Sequence, residues 1–385
     1  MILASTDSKP VTLFMSKPGS SNYYNFTLGT GTNADDAIEV TLARNADIQW
    51  IKSSKVLYVG CDNSEHIIRS DGPVLTPSDI ETNQQSAFGS ARIMGDWVSE
   101  KVGFVSLDGR RLRLISYGAD SEQMQSSDIT WAAEHITSGK VKEVHHAANP
   151  QNQLFCPLED GSFITCTYDE EFGAVAWARH SLTGSIRSMT VAEEQGRSVV
   201  YALVLRDRLR LLRMGATEVF MDSYVTIGEE SAISTVTGLN HLEGETVQVI
   251  ADGEQRDDEV VSSNQITISG AAATDFIIGL PMPRTLRTML VDYPAGGQST
   301  ASFKKRWSDI SLRLHKSAVP LINGVREGPR LPQDVDADTQ AMTGIVDIRV
   351  NNLGWDTGGS IVVQQNLPFD LNVVGIFGKI SEENL

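Results

Sequence analysis

A layout of apolar runs and short turns returns about every 45 residues, and this repeat constrains the fold most. Apolar residues alternate, or lie in short runs bounded by Gly, Asp, Asn or Ser, which is typical of strands rather than helices. Residues 47–70 hold three such runs, and the same layout begins again near residues 92, 141 and 186. We predict a repeated four-stranded unit, in which three strands are visible as apolar runs and tight hairpins lie at Asp108-Gly109 and Asp160-Gly161.

A repeat of this length with several strands favours the blades of a β-propeller, in which each sheet buries its faces against its neighbours. Residues 2–28 have a similar layout, so the sequence predicts about five units, some of them partial. The first unit is incomplete, and its closing strand could come from elsewhere. The alternative is that an all-β chain produces hairpins at irregular spacing without forming blades.

The pattern changes after residue 220 to short strands with Gly-rich turns. We therefore predict an all-β chain: a β-propeller-like repeat domain over residues 1–220, then small antiparallel β-barrel or sandwich domains. Residues 221–282 form the first small β domain and residues 283–385 a C-terminal β domain. Ser311 to Leu314 alternates in polarity, as does Ile345 to Val350, which predicts that they pair. The loop at 319–342 lacks apolar periodicity, which indicates a functional or disordered segment.

The formal net charge of −17 weakens attraction to nucleic acid and to anionic membranes. Specific DNA binding is therefore not expected, although an acidic wall would suit a protein past which DNA slides. The same charge could simply keep the chain soluble. The chain has no apolar run long enough for a membrane helix, and its N-terminus lacks the pattern of a signal peptide. Three cysteines, an odd and sparse number, predict no disulfide framework and fit a reducing site of synthesis.

Sequence motifs for catalysis are missing, including the nucleophile elbow, the phosphate-binding loop, H-E-x-x-H and C-x-x-C. We accordingly predict no catalytic, cofactor-binding or metal-binding residues. Cys156 and Cys166 flank a predicted hairpin, and His145-His146 precede it, so a zinc site is conceivable. Adjacent histidines on a strand point to opposite faces, however, and a free cysteine packs as a small hydrophobe, which favours a structural role.

Several charged and aromatic residues are interpreted structurally. Acidic residues at 257–259 and at 35–36 could bind a cation, but a solvated turn is the preferred interpretation for both. His241 is expected to pack or to cap a turn. The basic cluster at residues 304–306 is expected to pair with acidic neighbours rather than with nucleic acid. Trp177 and Trp307 are expected to anchor a core or an interface.

Ordered motifs in the repeat region resemble the tail nozzle, or head-tail stabilisation, proteins of short-tailed bacteriophages. The family's S-[YF]-G segment appears as Ser86-Ala87-Phe88-Gly89, and a G-R-x-[LV]-R-x-[LI]-x-Y strand follows at residues 109–117. Asp128-Ile129-Thr130 leads to His135-Ile136, Pro150, Leu154 and Asp160-Gly161. Thr167-Tyr168 and then Val175-Ala176-Trp177-Ala178-Arg179-His180 complete the series.

Beyond the repeats, residues 237–244 and 247–253 resemble the family's junction motif "GL-x-HLEG…V-x-V-x-ADG", with Gly279-Leu280-Pro281 after it. The order and spacing of the motifs together make the resemblance specific, and it covers nearly the whole chain. Family members usually carry a longer N-terminal segment than this chain shows. That departure leaves open how the first blade is closed.

The resemblance implies a non-enzymatic virion protein that forms a ring, usually hexameric, below the portal and adaptor of a phage tail. Such a ring extends the DNA channel, retains the packaged genome, and docks tail fibres or a needle. It would assemble in the host cytoplasm and contact passing DNA without sequence specificity. The alternatives are a non-catalytic adhesin or glycan-binding propeller, and a propeller hydrolase, which would need convergent carboxylates.

Overall fold

A computed structural model describes residues 1–29, 33–43, 46–70, 72, 74–118, 123–150, 152–215, 219–295, 298–326, 342–348 and 354–383. The chain divides into two compact units, Met1–Met214 and Gly215–Leu385. Nearly all of the regular structure consists of antiparallel strands, so the all-β prediction is confirmed.

The described residues of the first unit form five antiparallel sheets that follow one another along the chain, which matches the predicted number of repeats. Within each sheet the strands lie side by side in chain order. The first sheet is β1 (Ile2–Thr6), β2 (Lys9–Met15) and β3 (Ile38–Thr41); the second is β4 (Ile48–Ser53), β5 (Leu57–Cys61), β6 (Glu65–Arg69) and β7 (Glu81–Ser86). The third is β8 (Asp96–Val98), β9 (Lys101–Val105), β10 (Leu112–Gly118) and β11 (Gln123–Asp128). The fourth is β12 (His145–Ala147), β13 (Gln153–Pro157), β14 (Phe163–Asp169) and β15 (Ala174–His180), and the fifth is β16 (Ser185–Glu194), β17 (Arg197–Leu205) and β18 (Leu209–Arg213).

Consecutive sheets share four apolar cores, one at each junction, which is how propeller blades bury their faces. Leu13 of the first sheet packs with Val59 of the second, and Trp50 of the second packs with Phe104 of the third. Leu114 of the third sheet shares a core with Leu154 of the fourth. The fourth sheet joins the fifth through Phe163, Val204 and their neighbours. This packing explains why the middle strands are apolar on both faces.

A repeated hydrogen bond also joins one sheet to the segment that leads into the next. The carbonyl oxygen of Gly109 accepts from the Val141 N–H at 2.7 Å, and that of Gly161 accepts from the Ile186 N–H at 2.9 Å. Gly161 has a positive φ of 87°, and a Cβ there would lie 2.3 Å from the Ser185 hydroxyl oxygen. The predicted Asp-Gly hairpins therefore also fix the register of the next sheet, which requires glycine for close approach.

The fourth strands β7, β11 and β15 complete four-stranded sheets as predicted, although the apolar runs of the sequence located only three strands in each unit. Their residues are mostly polar or exposed, as in β7 (ETNQQS) and β11 (QMQSSD), so they lack the apolar alternation that marks a strand. The first sheet has three strands among the described residues. Its completion by a strand from elsewhere stays a prediction.

The second unit begins with a four-stranded sheet in the order β19 (Met221–Ile233), β24 (Ala273–Pro281), β21 (Thr246–Ala251) and β22 (Glu254–Val260). A two-stranded sheet, β20 (Thr235–Thr237) with β23 (Gln265–Thr267), accompanies it. Phe276, Ile278 and Leu242 lie in their shared core.

The remaining strands of the second unit form a second group with its own core around Leu312, Ile322 and Val363. They are β25 (Arg284–Arg287), β26 (Pro294–Ala295), β27 (Gln298–Ser299), β28 (Lys304–Ser317), β29 (Leu321–Ile322), β30 (Met342–Ile348), β31 (Val362–Gln365) and β32 (Val373–Glu383). The sheets have the orders β25-β31-β29, β26-β27 and β30-β28-β32. The predicted pairing is confirmed where residues are described, with Leu312 opposite Val346 and Ile310 opposite Ile348.

The predicted loop at 319–342 contains β29 at its start. Its residues 327–341 lie outside the described part of the chain. Helical structure in the described ranges is limited to short 3₁₀ turns at Ser20–Asn22, Ile136–Gly139 and Asn240–Leu242. None of these is long and apolar enough to cross a membrane.

Candidate functional site

The cysteine and histidine candidates lie on neighbouring strands of the fourth sheet but do not converge on one point. Cys156 and Cys166 are fully buried in the core shared with the third sheet. The His145 ring approaches Glu143, whereas the His146 ring contacts Asn152, so the two rings have separate partners as the alternation of a strand predicts. In the described ranges no group of three or more potential ligands could hold a metal ion.

The thiols are in environments that suppress their reactivity. All three cysteines are buried and free. Burial raises the pKa of Cys61 and of Cys166 to about 12, and it raises the pKa of Cys156 further. Because the thiolate is the nucleophile and the metal ligand, these groups are poorly suited to either role at neutral pH.

Two interpretations of acidic pairs need correction. Asp257 and Asp258 lie within strand β22 rather than in a turn, where burial and the Asp257 charge raise the pKa of Asp258. Asp36 is buried rather than solvated, and its carboxylate accepts from the Lys17 ammonium at 2.9 Å. That hydrogen bond raises the pKa of Lys17. Sequence could not distinguish these cases because burial depends on which strand covers the residue.

The interpretation of the basic cluster at residues 304–306 is wrong for its central residue, Lys305. Lys305 is only 1% exposed, and its ammonium donates to the main-chain oxygens of Thr357 at 3.0 Å and Phe303 at 3.4 Å. Carbonyl oxygens therefore satisfy this buried charge, where acidic neighbours were expected. The lysine anchors the segment after residue 354 to β28.

Both tryptophans and His241 occupy structural positions, as expected. The Trp177 indole N–H donates to the Ile129 carbonyl at 2.9 Å while its ring packs on the core between the third and fourth sheets. The Trp307 indole donates to the Gly359 carbonyl at 2.8 Å. The His241 ring contacts the Ser223 carbonyl oxygen at 3.1 Å in the second unit.

Buried or partly buried carboxylates at the sheet junctions form the most organised polar sites of the first unit. Glu65 is fully buried and accepts from the Ser86 hydroxyl, from the Phe88 N–H at 3.3 Å and from the Ser90 hydroxyl at 3.0 Å. The Arg113 guanidinium stacks over the Phe88 ring at 3.6 Å. The S-A-F-G motif thus wraps a carboxylate at the point where the second sheet leads into the third.

Two further carboxylates make the same kind of contact at later junctions. Asp96 accepts from the His146 N–H of the fourth sheet at 2.9 Å and from the Lys52 ammonium of the second at 3.4 Å. Glu143 accepts from the Ser188 hydroxyl at 3.0 Å and from the Met189 N–H at 2.9 Å in the fifth sheet. Sequence reasoning missed all three carboxylates, since isolated Asp and Glu residues in β-rich sequence carry no periodic signal.

The other motif segments are held by similar internal bonds. Asp128 accepts from both the N–H and the hydroxyl of Thr130, at 2.9 Å and 2.7 Å. The Arg179 guanidinium donates to the Ile136 carbonyl at 2.7 Å. In the second unit, Asp252 accepts from the N–H groups of Asp275 and Thr274, which lowers the pKa of Asp252.

A cleft of about 490 Å³ lies in the second unit. Arg256, Arg326 and Asp257 line it with Gln255, Ser269, Gly270 and Leu367. The Arg256 guanidinium pairs with Glu254 at 3.2 Å, and the Arg326 guanidinium donates to the Gln365 side chain at 3.1 Å. The Glu254 carboxylate offsets the charge of Arg256, whereas the Gln365 amide that binds Arg326 is neutral.

Comparison with known proteins gives no family assignment. No protein-family model matches the chain, and no curated protein matches it. The β-propeller domain of Cps50 (Swd1) from Myceliophteria thermophila is 9% identical with a TM-score of 0.31, covering 54% of this chain and 68% of that one. The N-terminal domain of Nup159 is 10% identical with a TM-score of 0.27, covering 88% and 77%.

A third similar structure, a protein from Lactobacillus plantarum, is 11% identical with a TM-score of 0.25, covering 68% of this chain and 96% of that one. Similarities at this level leave the fold to be argued from the chain's own sheets and the cores between them.

Proposed function

We infer that this chain is a structural subunit of a short phage tail, where it forms a nozzle ring below the portal and adaptor. The ring extends the DNA channel, retains the packaged genome and docks distal tail parts such as fibres or a needle. The proposal places the protein in the virion tail, assembled in the host cytoplasm, without a catalytic role.

The observation that best supports this proposal is that the motif segments connect neighbouring parts of the first unit through hydrogen bonds. The segment from Ser86 to Ser90 encloses Glu65, and Trp177 and Arg179 tie β15 to the segment between β11 and β12. The carboxylates of Glu65, Asp96 and Glu143 accept hydrogen bonds from the linker after their sheet or from neighbouring sheets. Because these side chains are engaged in hydrogen bonds within the protein, they support a structural role more than chemistry on a substrate.

The net negative charge of the chain is consistent with a channel through which DNA moves. The net charge of −17 disfavours phosphate binding, and Lys305 of the densest basic cluster is directed into the protein. An acidic surface lowers the affinity for DNA phosphates, so that the duplex does not stick as it passes. The expected homo-oligomer, usually a hexamer in the family it resembles, would surround that duplex.

The test combines imaging with a binding measurement. Cryo-EM of the purified chain, alone and mixed with the adaptor of the same virion, should show a ring with a central channel wide enough for duplex DNA. The chain should also show no measurable affinity for a short duplex at physiological salt. A particle that stays monomeric with the adaptor present, or that binds duplex DNA tightly, would overturn the proposal.

The adhesin alternative has its own discriminating experiment. A reproducible hit on a glycan array, competed by the free sugar, would favour a glycan-binding propeller over a nozzle. The control is the same array probed with protein unfolded in denaturant.

A further inference from the structure

Among the described residues the fifth sheet has three strands, whereas three other sheets of the same unit have four. In the second, third and fourth sheets the third strand pairs with a fourth, which is β7, β11 or β15. Among the described residues the fifth sheet ends at its third strand, β18. The edge of β18 therefore occupies the place where the repeat elsewhere carries one more strand.

Hydrogen bonding shows which backbone groups of β18 face that edge. The Met214 N–H donates to the Val200 carbonyl, and the Arg206 N–H donates to the Arg208 carbonyl. Strand β17 pairs with β18 in a continuous register between these two bonds, from Tyr201 opposite Arg213 to Leu205 opposite Leu209. Hydrogen-bonded pairs alternate in an antiparallel ladder, so Arg210 and Leu212 bond to β17.

The remaining residues of the strand have the opposite orientation. By the same alternation, the peptide groups of Leu209, Leu211 and Arg213 point away from β17. A row of outward N–H and C=O groups is a template for another strand.

The side chains of β18 specify what kind of strand fits. Leu209 is 57% exposed and Leu211 is 70% exposed, on the face opposite to Leu212, which packs on the core shared with the fourth sheet. Arg210 lies on the Leu212 face, and Arg208 just before the strand is highly exposed. A strand added here places apolar side chains beside Leu209 and Leu211 and its alternate side chains beside Arg208 and Arg210, whereas Arg213 shares the face of the leucines.

We propose that the outer edge of β18 binds an extended segment of another polypeptide as an antiparallel fourth strand. The segment is about six residues long with alternating apolar and acidic side chains, since β7 and β11 have six residues each. Residues 206–213 contain four arginines and one aspartate in a chain whose net charge is −17. Asp207 pairs with Arg210 at 3.1 Å and Glu194 pairs with Arg213 at 2.7 Å, so the four positive charges exceed these two negative charges by two. This local positive charge favours an acidic partner, and it disfavours β18 of a second copy, which would bring two such hairpins together.

The probe is a synthetic acetylated and amidated heptapeptide of alternating valine and glutamate. Amide hydrogen exchange of the full chain is followed by NMR with and without about 1 mM peptide. In the free protein we expect slow exchange at Arg210 and Leu212, and fast exchange at Leu209, Leu211 and Arg213. The peptide should slow the three fast amides about tenfold or more and leave the other two unchanged.

Peptide variants provide matched controls without altering the protein. N-methylation of the residues whose N–H groups face β18 should abolish protection, whereas N-methylation of the alternate residues should preserve it. A valine–lysine peptide of equal length should protect less at the same concentration, because it repels the arginines.

Three results would overturn the proposal. The first is slow exchange of the outward amides in dilute free protein, which would mean that the edge is already covered. The second is protection that rises with protein concentration in the absence of peptide, which would identify a second copy as the occupant. The third is no protection at saturating peptide. None of these depends on ring assembly, so the nozzle proposal stands or falls separately.

Discussion

Removing the carboxylate of Glu65 tests whether buried acidic groups hold the sheet junctions together. Glu65→Ala leaves three donors without their acceptor: the Phe88 N–H and the hydroxyls of Ser86 and Ser90. A buried donor left unpaired costs about 1–3 kcal/mol. The two hydroxyl groups can rotate toward other acceptors, so we assign a cost of about 1 kcal/mol to each of them. The backbone N–H is fixed, so we assign it a cost of about 2 kcal/mol. The expected loss of unfolding free energy is therefore about 4 kcal/mol.

The measurement is equilibrium unfolding in guanidinium chloride, followed by circular dichroism and tryptophan fluorescence. Because the chain has two compact units, the transition assigned to the first unit is the one compared. Glu81→Ala on the neighbouring strand is the matched control, since Glu81 is largely solvent-accessible and pairs with Arg69 at 3.2 Å. An exposed ion pair contributes about 0–1 kcal/mol, so this control should shift little.

Two outcomes bear directly on the reasoning about Glu65. Glu65→Gln keeps the volume and one acceptor oxygen, so its loss of stability should fall between those of Glu65→Ala and Glu81→Ala. Equal destabilisation by Glu65→Ala and Glu81→Ala would refute the claim that the buried carboxylate organises the junction.

The remaining predictions concern packing, thiols and pH. Trp177→Phe keeps the apolar ring but loses the hydrogen bond to the Ile129 carbonyl, so unfolding free energy should fall by about 1 kcal/mol in the same assay; no change would show that water replaces the bond. The three thiols should resist a thiol reagent in native protein at pH 8 and react completely in denaturant, and rapid native labelling would contradict their burial. Burial lowers the pKa of His180, so the unfolded chain takes up a proton first as pH falls. The melting temperature should therefore drop below about pH 6.5 more steeply than in His180→Phe, and identical profiles would contradict this assignment.

Much of the repeat architecture could be predicted because burial leaves a pattern in the chain. The predicted starts near residues 47 and 186 correspond to strands beginning at Ile48 and Ser185. Strands packed between two sheets are apolar on both faces, and two of the hairpins between them carry Asp-Gly turns. Both features depend on residues close together in the chain, so they can be recognised in the amino-acid sequence.

The fourth strands and the polar joints could not be predicted in this way. β7 and β11 are edge strands in which no residue is fully buried, so selection for apolar alternation is weak. Glu65 and Asp36 look like surface residues in sequence, yet both are buried beside donors from distant segments. Their partners are fixed only when the sheets stack.

The alternation of apolar residues, the positions of the turns, the number of repeats and the net negative charge can all be read from the amino-acid sequence alone. The packing of the sheets determines which carboxylates bridge neighbouring segments, that Lys305 is buried, and which strand ends each sheet among the described residues. The difference lies in the distance along the chain over which each interaction acts. Alternation and turn preference act over a few residues, whereas the burial of a charge and the pairing of an edge depend on segments brought together by packing.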